Sequence, residues 1–334
     1  MKRYSTFALL LLLPLWMAAQ RVTQLDLIAR ASYRGAYVGG EHSPALSGFK
    51  GEYVTTRLGI DLTHGFSFTW RQRFSKSFEG DLLNATDRLY FTYERGRWTL
   101  QGGKMALFVG GFEFDAVPWD VHYYSHGVLG NCDQFGGAVT YSLADRHTLS
   151  LAVQQSTFHP FSKDLCGRSD VYQYTAYYSG SCGRLQLIHS LGAIEYRPAH
   201  YMMALDLGHR LDLHPVTLML DLHDYFVPGN SFLSDCRLLA QADWRLSRYV
   251  NVQGKYVFTQ NRDKEEANYY VAPGTRLHQT SGGIECFPIR GERTLRLHAL
   301  ASYMWGECAD LYRTFQFTLG ATMQLDCLRL FRKQ

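Results

Sequence analysis

The chain has 334 residues, of which 46% are hydrophobic and 14% aromatic, with a formal net charge of +4 and a mean hydropathy of −0.21. The hydropathy excludes a bundle of membrane-spanning helices, because each such helix needs about 20 consecutive apolar residues. The aromatic content excludes intrinsic disorder, and the weak net charge gives no reason to expect nucleic-acid binding. A large soluble β protein and a membrane β-barrel both remain open.

Residues 1–19 have the pattern of a secretory signal peptide. Lys2 and Arg3 form a basic segment, five consecutive leucines lie in the apolar core, and Ala18-Ala19 offer small residues for cleavage. The apolar run is too short to span a bilayer, so we predict that it is cleaved and that the protein is exported. We expect residues 20–334 to form a single domain.

The seven cysteines contain no C-x-x-C pair and no zinc-type spacing. They are too sparse for a disulfide-dense scaffold, so the sequence predicts at most one or two bridges and leaves their pairing open. Neither the cysteines nor any other motif indicates a metal or a cofactor.

Alternation of apolar and polar residues with a period of two dominates the chain after residue 24. In the last segment Phe315, Phe317 and Leu319 oppose Gln316, Thr318 and Gly320, which is typical of a β-strand and not of a helix. The same pattern predicts about sixteen strands, with the approximate spans 24–37, 52–63, 65–75, 86–94, 97–104, 134–143, 146–157, 171–179, 183–191, 200–209, 215–225, 235–245, 248–259, 276–287, 292–304 and 313–327.

The connections between these strands alternate between tight turns and longer links. This alternation, an even strand count and strands of ten or more residues are typical of a transmembrane antiparallel β-barrel of the bacterial outer membrane. The segment 192–199 could instead continue a strand, so fourteen strands remain an alternative. The predicted fold is therefore an all-β membrane barrel of about sixteen strands.

Sixteen strands enclose a cylinder too wide for side chains to fill, so we expect the apolar faces to point outward to lipid and the polar faces to line a lumen. The polar faces are rich in arginine. We predict that the pore-lining residues are Arg57, Arg71, Arg73, Arg88, Arg237 and Arg296. An ion-paired network that closes the barrel is the alternative.

The longest link, 105–133, is the third of the long ones and has an unusual composition. It is rich in Phe, Trp, Tyr and Val, its charged residues are all acidic, and it lacks Lys and Arg. Because such a segment must pack against something, we predict that it folds into the barrel and forms a constriction with Glu113, Asp115 and Asp120 opposite the arginines. The alternative is an outward loop with its own aromatic cluster.

The stretch from Gly102-Gly103-Lys104 to Gly110-Gly111-Phe112-Glu113-Phe114-Asp115, leading into Pro118 and Asp120, resembles the phosphate-selective porin O and P family. That resemblance implies a porin barrel with an inward third loop, a homotrimer, and anion binding by Arg and Lys at the constriction. The third link of this chain contains no such basic residue.

The chain contains thirteen histidines, which are common catalytic residues. Asp221 and His223 share a strand face, whereas His278 and Ser281 face opposite ways, and no Walker A, H-E-x-x-H or EF-hand pattern is present. We therefore expect that the protein has no catalytic residues and is not an enzyme. The leading hypothesis is a passive outer-membrane channel for small hydrophilic solutes or ions, in contact with outer-membrane lipid. The alternative is a closed barrel with a lipid-hydrolase or surface-binding role.

Overall fold

A computed structural model describes residues 21–74, 85–115, 125, 132–158, 170–262, 273–289, 294–307 and 313–332. The predicted signal peptide lies outside these ranges. The described strands are β1 (Arg21–Val38), β2 (Glu41–His42), β3 (Gly48–Asp61), β4 (Phe66–Arg73), β5 (Thr86–Arg95), β6 (Trp98–Ala106), β7 (Asp133–Ala144), β8 (His147–Gln155), β9 (Tyr172–Cys182), β10 (Leu185–Arg197), β11 (His200–Asp212), β12 (Val216–Phe226), β13 (Asp235–Arg245), β14 (Val250–Asn261), β15 (Thr275–Cys286), β16 (Leu295–Gly306) and β17 (Thr314–Asp326).

All described strands belong to one antiparallel sheet that closes on itself. Strand β1 pairs along its length with β3 on one side and with β17 on the other, where Asp26 faces Asp326. The two-residue β2 pairs only with the end of β1. The barrel wall therefore has sixteen strands, which confirms the larger predicted count over fourteen. Strands β10 and β11 are joined by residues 198–199 alone, so the ambiguous segment 192–199 is mostly strand.

The tight turns lie at one end of the barrel, which we call the tight-turn end, and the long connections lie at the other, together with the two-residue connection 198–199. Gly65, in the tight turn between β3 and β4, shows why this turn requires glycine. Its φ is +82°, and a Cβ there would lie 2.3 Å from the carbonyl oxygen of Glu94. Only glycine combines that backbone conformation with so close an approach.

The outer face of the wall is apolar. Ile60, Phe68 and Phe91 face one another across β3, β4 and β5, and Phe91 is 55% exposed. The opposite parity of the same strands points inward and is polar, as predicted. Exposed aromatic side chains occur toward both ends of the wall, in the positions of interfacial girdles: Trp98, Trp244 and Tyr249 toward the tight turns, and Tyr37, Tyr172 and Tyr201 toward the long connections.

Two short helices complete the described structure: α1 (Phe112–Asp115), on the longest connection, and α2 (Cys327–Arg332), after β17. No helix in the ranges given above is long and apolar enough to cross a membrane. Cys182, Cys236, Cys286 and Cys327 are free thiols, while Cys166 and Cys308 lie outside the described residues.

Candidate functional site

The longest connection spans residues 107–132, and we call it the inward loop because its described residues, 107–115, 125 and 132, lie inside the barrel. It begins beside the start of β7, where the Leu107 amide donates a hydrogen bond to the Cys132 carbonyl at 2.8 Å. Its backbone then runs along the inner wall, since the Phe108 amide bonds Gln154 of β8 and the Gly110 amide bonds Ser190 of β10. This path confirms the predicted inward fold.

Glycines let the loop backbone lie directly on the wall. A Cβ on Gly110 would be 2.6 Å from the Asp206 carbonyl oxygen, and one on Gly208 of β11 would be 2.7 Å from the Gly111 Cα. Gly111 also has a φ of +100° and lies against the His223 ring. Any larger residue at these three positions would push the loop into the lumen, so the chain achieves this docking through glycine on both surfaces.

A buried polar network lies beneath this contact. The Asp206 carboxylate accepts a hydrogen bond from the Ser190 hydroxyl at 2.7 Å, and its other oxygen lies 2.8 Å from Nδ1 of His223. Asp221 accepts a hydrogen bond from the Glu113 amide at 3.0 Å, at the start of α1. These wall side chains are all nearly inaccessible to solvent. Their hydrogen bonds compensate for removing the loop's backbone donors from water.

Glu113 anchors the loop electrostatically. Its carboxylate pairs with the Lys255 ammonium of β14, lies 3.5 Å from Arg237 of β13, and accepts hydrogen bonds from Ser125. Burial of Glu113 opposes its ionisation, but the charges of Lys255 and Arg237 outweigh that effect and hold its pKa at about 2. At this carboxylate, an acidic residue of the loop contacts two basic residues of the wall.

Aromatic packing completes the anchor. Phe114 makes an edge contact with His223 at 5.1 Å between ring centroids, and the Arg237 guanidinium lies 5.2 Å from the Phe114 ring. Phe114 also packs on an apolar cluster inside the barrel that includes Ile194, Tyr196 and Met202. This packing explains why the loop is apolar although it connects two strands.

The opposite part of the inner wall carries a row of arginines. Arg57, Arg71 and Arg88 are direct cross-strand neighbours on β3, β4 and β5. Each has an acidic partner: Arg57 lies 2.7 Å from Asp26, while Arg71 and Arg88 lie 2.7 and 2.9 Å from Asp133. These pairs allow like charges to stand side by side across the strands.

The arginines differ in their access to solvent. The side chains of Arg57, Arg73 and Arg88 are 23%, 27% and 28% exposed, whereas those of Arg71 and Arg237 are almost fully buried. The described residues of the inward loop contact strands between β8 and β14, and Arg57, Arg73 and Arg88 on β3, β4 and β5 retain partial contact with water. The accessible part of the interior therefore has arginine on its wall.

The other residues predicted to line the pore or the constriction have the following positions. Arg73 pairs with Asp87 at 2.9 Å and Arg296 with Glu285 at 3.3 Å, both facing the interior. Arg237 faces the interior too but lies behind the loop. Glu113 is at the wall, the side chain of Asp115 is outside the described set, and Asp120 lies in an undescribed range.

Sequence reasoning overlooked Ser190 and Gly208, which receive the loop. Their only signal in the sequence was their inward parity on β10 and β11. The sequence placed Asp221 and His223 on one face of a strand. In the structure the inward loop docks on that face.

The arrangement does not have the order of a hydrolytic triad. The carboxylate of Asp206 stands between Ser190 and His223, whereas a nucleophilic serine needs the histidine between it and the acid. The loop also covers all three residues. Among the described residues, no group of three or more His, Cys, Asp or Glu side chains could hold a metal ion.

Comparison with known proteins agrees with this architecture. Residues 30–180 match the family model described as phosphate-selective porin O and P. Among curated proteins, none matches this chain in sequence.

Solved structures share the fold at low sequence identity. The outer membrane channel DcaP of Acinetobacter baumannii has a TM-score of 0.67 and 14% identity, over 92% of this chain and 98% of that one. An anion-selective porin from Comamonas acidovorans has a TM-score of 0.63 and 9% identity, over 92% and 100%. OmpT of Vibrio cholerae has a TM-score of 0.61 and 9% identity, over 92% and 98%. The chain thus has the fold of outer-membrane porins, and its residues 30–180 resemble the phosphate-selective porin O and P family.

Proposed function

We propose that this protein is a passive diffusion channel for small hydrophilic solutes or ions. The observation that carries the proposal is the division of the interior: the described residues of the inward loop are bound to strands between β8 and β14, and partly exposed arginines line the facing strands. A loop held against one side narrows a barrel of this size without filling it. The polar inner wall supports a water-filled path.

The charge of the accessible wall supports a preference for anions. Arg57, Arg73 and Arg88 retain contact with water, and their acidic partners Asp26, Asp87 and Asp133 are less exposed than they are. A permeating ion would therefore meet guanidinium groups before carboxylates. Two comparisons support the same preference: the matching family is described as phosphate-selective, and one similar structure is an anion-selective porin.

The surroundings of the channel follow from the same fold. We propose an outer-membrane location, with lipid against the apolar face, the tight turns toward the periplasm and export through a cleaved signal peptide at residues 1–19. A homotrimer is proposed because OmpT of Vibrio cholerae, folded in vitro, has a trimer form. Nothing in the described site favours the alternative of a closed barrel with a lipid-hydrolase or surface-binding role, since its serine and histidine are covered and out of order.

Conductance in planar bilayers tests the proposal. The purified, folded protein should produce stepwise conductance, and a salt gradient should give a reversal potential that shows anions to be the more permeant ions. A silent membrane from a preparation that is shown to be folded would contradict the channel. A reversal potential that favours cations would retain the channel and refute its anion preference.

A further inference from the structure

Two arginines on the outside of the barrel lack the partners that the interior arginines have. Arg95 and Arg97 flank Gly96 in the tight turn between β5 and β6, and both are well exposed. Neither side chain makes an ion pair or a hydrogen bond with any described residue. The six arginines predicted to line the pore all have acidic partners, whereas Arg95 and Arg97, like Arg146 and Arg184 in the neighbouring tight turns, have none among the described residues.

The two arginines border a depression in the outer wall. It has a volume of about 610 Å³ and is lined, besides the turn, by Tyr93, Trp98, Leu100 and Tyr141. Trp98 is 53% exposed and packs on Tyr141 with ring centroids 4.7 Å apart. The lining contains no acidic residue. Exposed aromatic rings beside free guanidinium groups are typical of the depth at which lipid headgroups lie.

A second depression, of about 640 Å³, shares Leu100 with the first and extends toward the middle of the wall. Its floor includes Gly137, which pairs with Gly102 on β6, and its sides include Val139, Leu151 and Val153. A Cβ on Gly102 would meet no atom within 4 Å, and one on Gly137 would meet a single atom at 3.5 Å. The glycines thus leave an apolar groove that is open to the outside.

The groove has the depth of one leaflet. Gly102 is four residues along β6 from Trp98, which is about 13 Å of strand and about 10 Å of depth at the usual tilt. One half of the hydrocarbon core is about 15 Å thick. A chain that begins at the aromatic rings could therefore lie in this groove without leaving its leaflet.

We propose that the outer wall of β5 to β8 binds one anionic glycerophospholipid at the tight-turn end. Its phosphate would accept hydrogen bonds from Arg95 and Arg97, and one acyl chain would lie over Gly102 and Gly137. Guanidinium groups bind phosphate oxygens with charge-assisted hydrogen bonds, and basic pockets at this depth select anionic headgroups. The inference rests on the barrel spanning a membrane as proposed above, but not on the barrel conducting.

Native mass spectrometry of the detergent-purified, folded protein with added phosphatidylglycerol tests the site. The wild type should retain one lipid, and the double variant R95Q/R97Q should bind it at least about tenfold more weakly. A matched control, R146Q/R184Q, removes two arginines from the neighbouring tight turns and should bind as the wild type does. Equal retention by R95Q/R97Q and the wild type would overturn the proposal.

The acyl groove is tested separately with Gly137→Leu, which adds a side chain on the lipid face without a backbone clash. This variant should also lose the retained lipid, while Leu151→Val on the groove's side should keep it. Zwitterionic phosphatidylcholine should bind the wild type clearly more weakly, and equal binding of the two lipids would refute recognition by charge. A wild type that retains no lipid, and whose oligomeric state changes with Gly137→Leu, would show that a second copy occupies the groove and would overturn the proposal.

Conductance separates this proposal from the channel. R95Q/R97Q should conduct like the wild type, because both residues lie outside the lumen. Arginine-dependent lipid retention by a barrel that proves silent would refute the channel and support the lipid site. A barrel that conducts but shows no arginine-dependent lipid retention would support the channel and refute the lipid site.

Discussion

The Cα atom of Gly111 packs against Gly208 so closely that a methyl carbon on Gly208 would lie 2.7 Å from it. This contact joins the inward loop to β11 without any side chain between the two backbones. The width of the lumen therefore depends on the absence of a Cβ at these two positions.

We expect Gly208→Val to displace the loop from the wall at a cost of about 1–3 kcal/mol, the usual effect of overpacking. The displaced loop would alter the path, so single-channel conductance should change in size and become noisier. Gly254→Val is the matched control, because a Cβ on Gly254 would meet nothing within 4 Å. Identical current traces from Gly208→Val and the wild type would refute the role of this contact.

Replacing Glu113 should weaken the anchor strongly. Glu113→Gln leaves the buried cations of Lys255 and Arg237 without a counter-charge, and breaking a buried pair in this way typically costs about 3–5 kcal/mol. The temperature at which the folded barrel loses its compact gel mobility should fall, and proteases should cut the loop sooner. Glu41→Gln, at an exposed position on β2, should change neither measurement.

The pH dependence of this anchor follows from the pKa of Glu113. That pKa is lowered to about 2, so the ionised carboxylate favours the folded state. Its contribution is complete above the ordinary pKa of about 4.3 and is lost as the pH falls toward 2. The difference in thermal midpoint between the wild type and Glu113→Gln should be constant from pH 7 to pH 5 and should shrink below about pH 4. A difference that shrinks already between pH 7 and pH 5 would contradict this assignment.

His223→Ala distinguishes docking from catalysis. The variant removes the partner of Asp206 and the ring beneath Phe114, and the lost buried hydrogen bond to a charged group alone is worth about 1.5–3 kcal/mol. We expect a looser loop and noisier conductance. His278→Ala, on the outer face, is the control. Lipid hydrolysis by the wild type that disappears in His223→Ala would instead support the enzymatic alternative.

Ion preference should respond to Arg88. Its guanidinium is partly exposed and faces the accessible interior, so Arg88→Gln should lower the permeability of chloride relative to potassium. The change should be about two- to fivefold, since a charge near an ion in water is worth about 1 kcal/mol. Arg248→Gln, in the turn between β13 and β14, should leave the reversal potential unchanged.

The strand pattern was readable because each side chain on a strand must face either lipid or the interior. That constraint produced the alternation around Phe315, Phe317 and Leu319 and led to a barrel of about sixteen strands, which the pairing of β1 with β17 confirms. The segment 192–199 was ambiguous because a connection of only residues 198–199 leaves little turn composition to detect.

The inward fold of the third long connection was also predictable, since a sequence rich in Phe, Trp and Tyr must be covered. The wall residues against which this connection docks were not predictable from the sequence. Ser190, Asp206 and Gly208 come from neighbouring strands far along the chain, and only the register of β10 against β11 sets them beside Gly110 and Gly111.

The near-neutral charge of this chain illustrates the difference between what the sequence determines and what only the tertiary structure determines. By itself, the sequence determined that arginines share the polar faces and that the longest connection is acidic, because residue type and parity are local properties. Only the tertiary structure decided that Glu113 pairs with Lys255 and Arg237. It also decided that Arg57, Arg73 and Arg88 remain accessible to solvent. Ion pairing depends on distances across the barrel, and those distances arise from strand register and loop docking rather than from any local pattern.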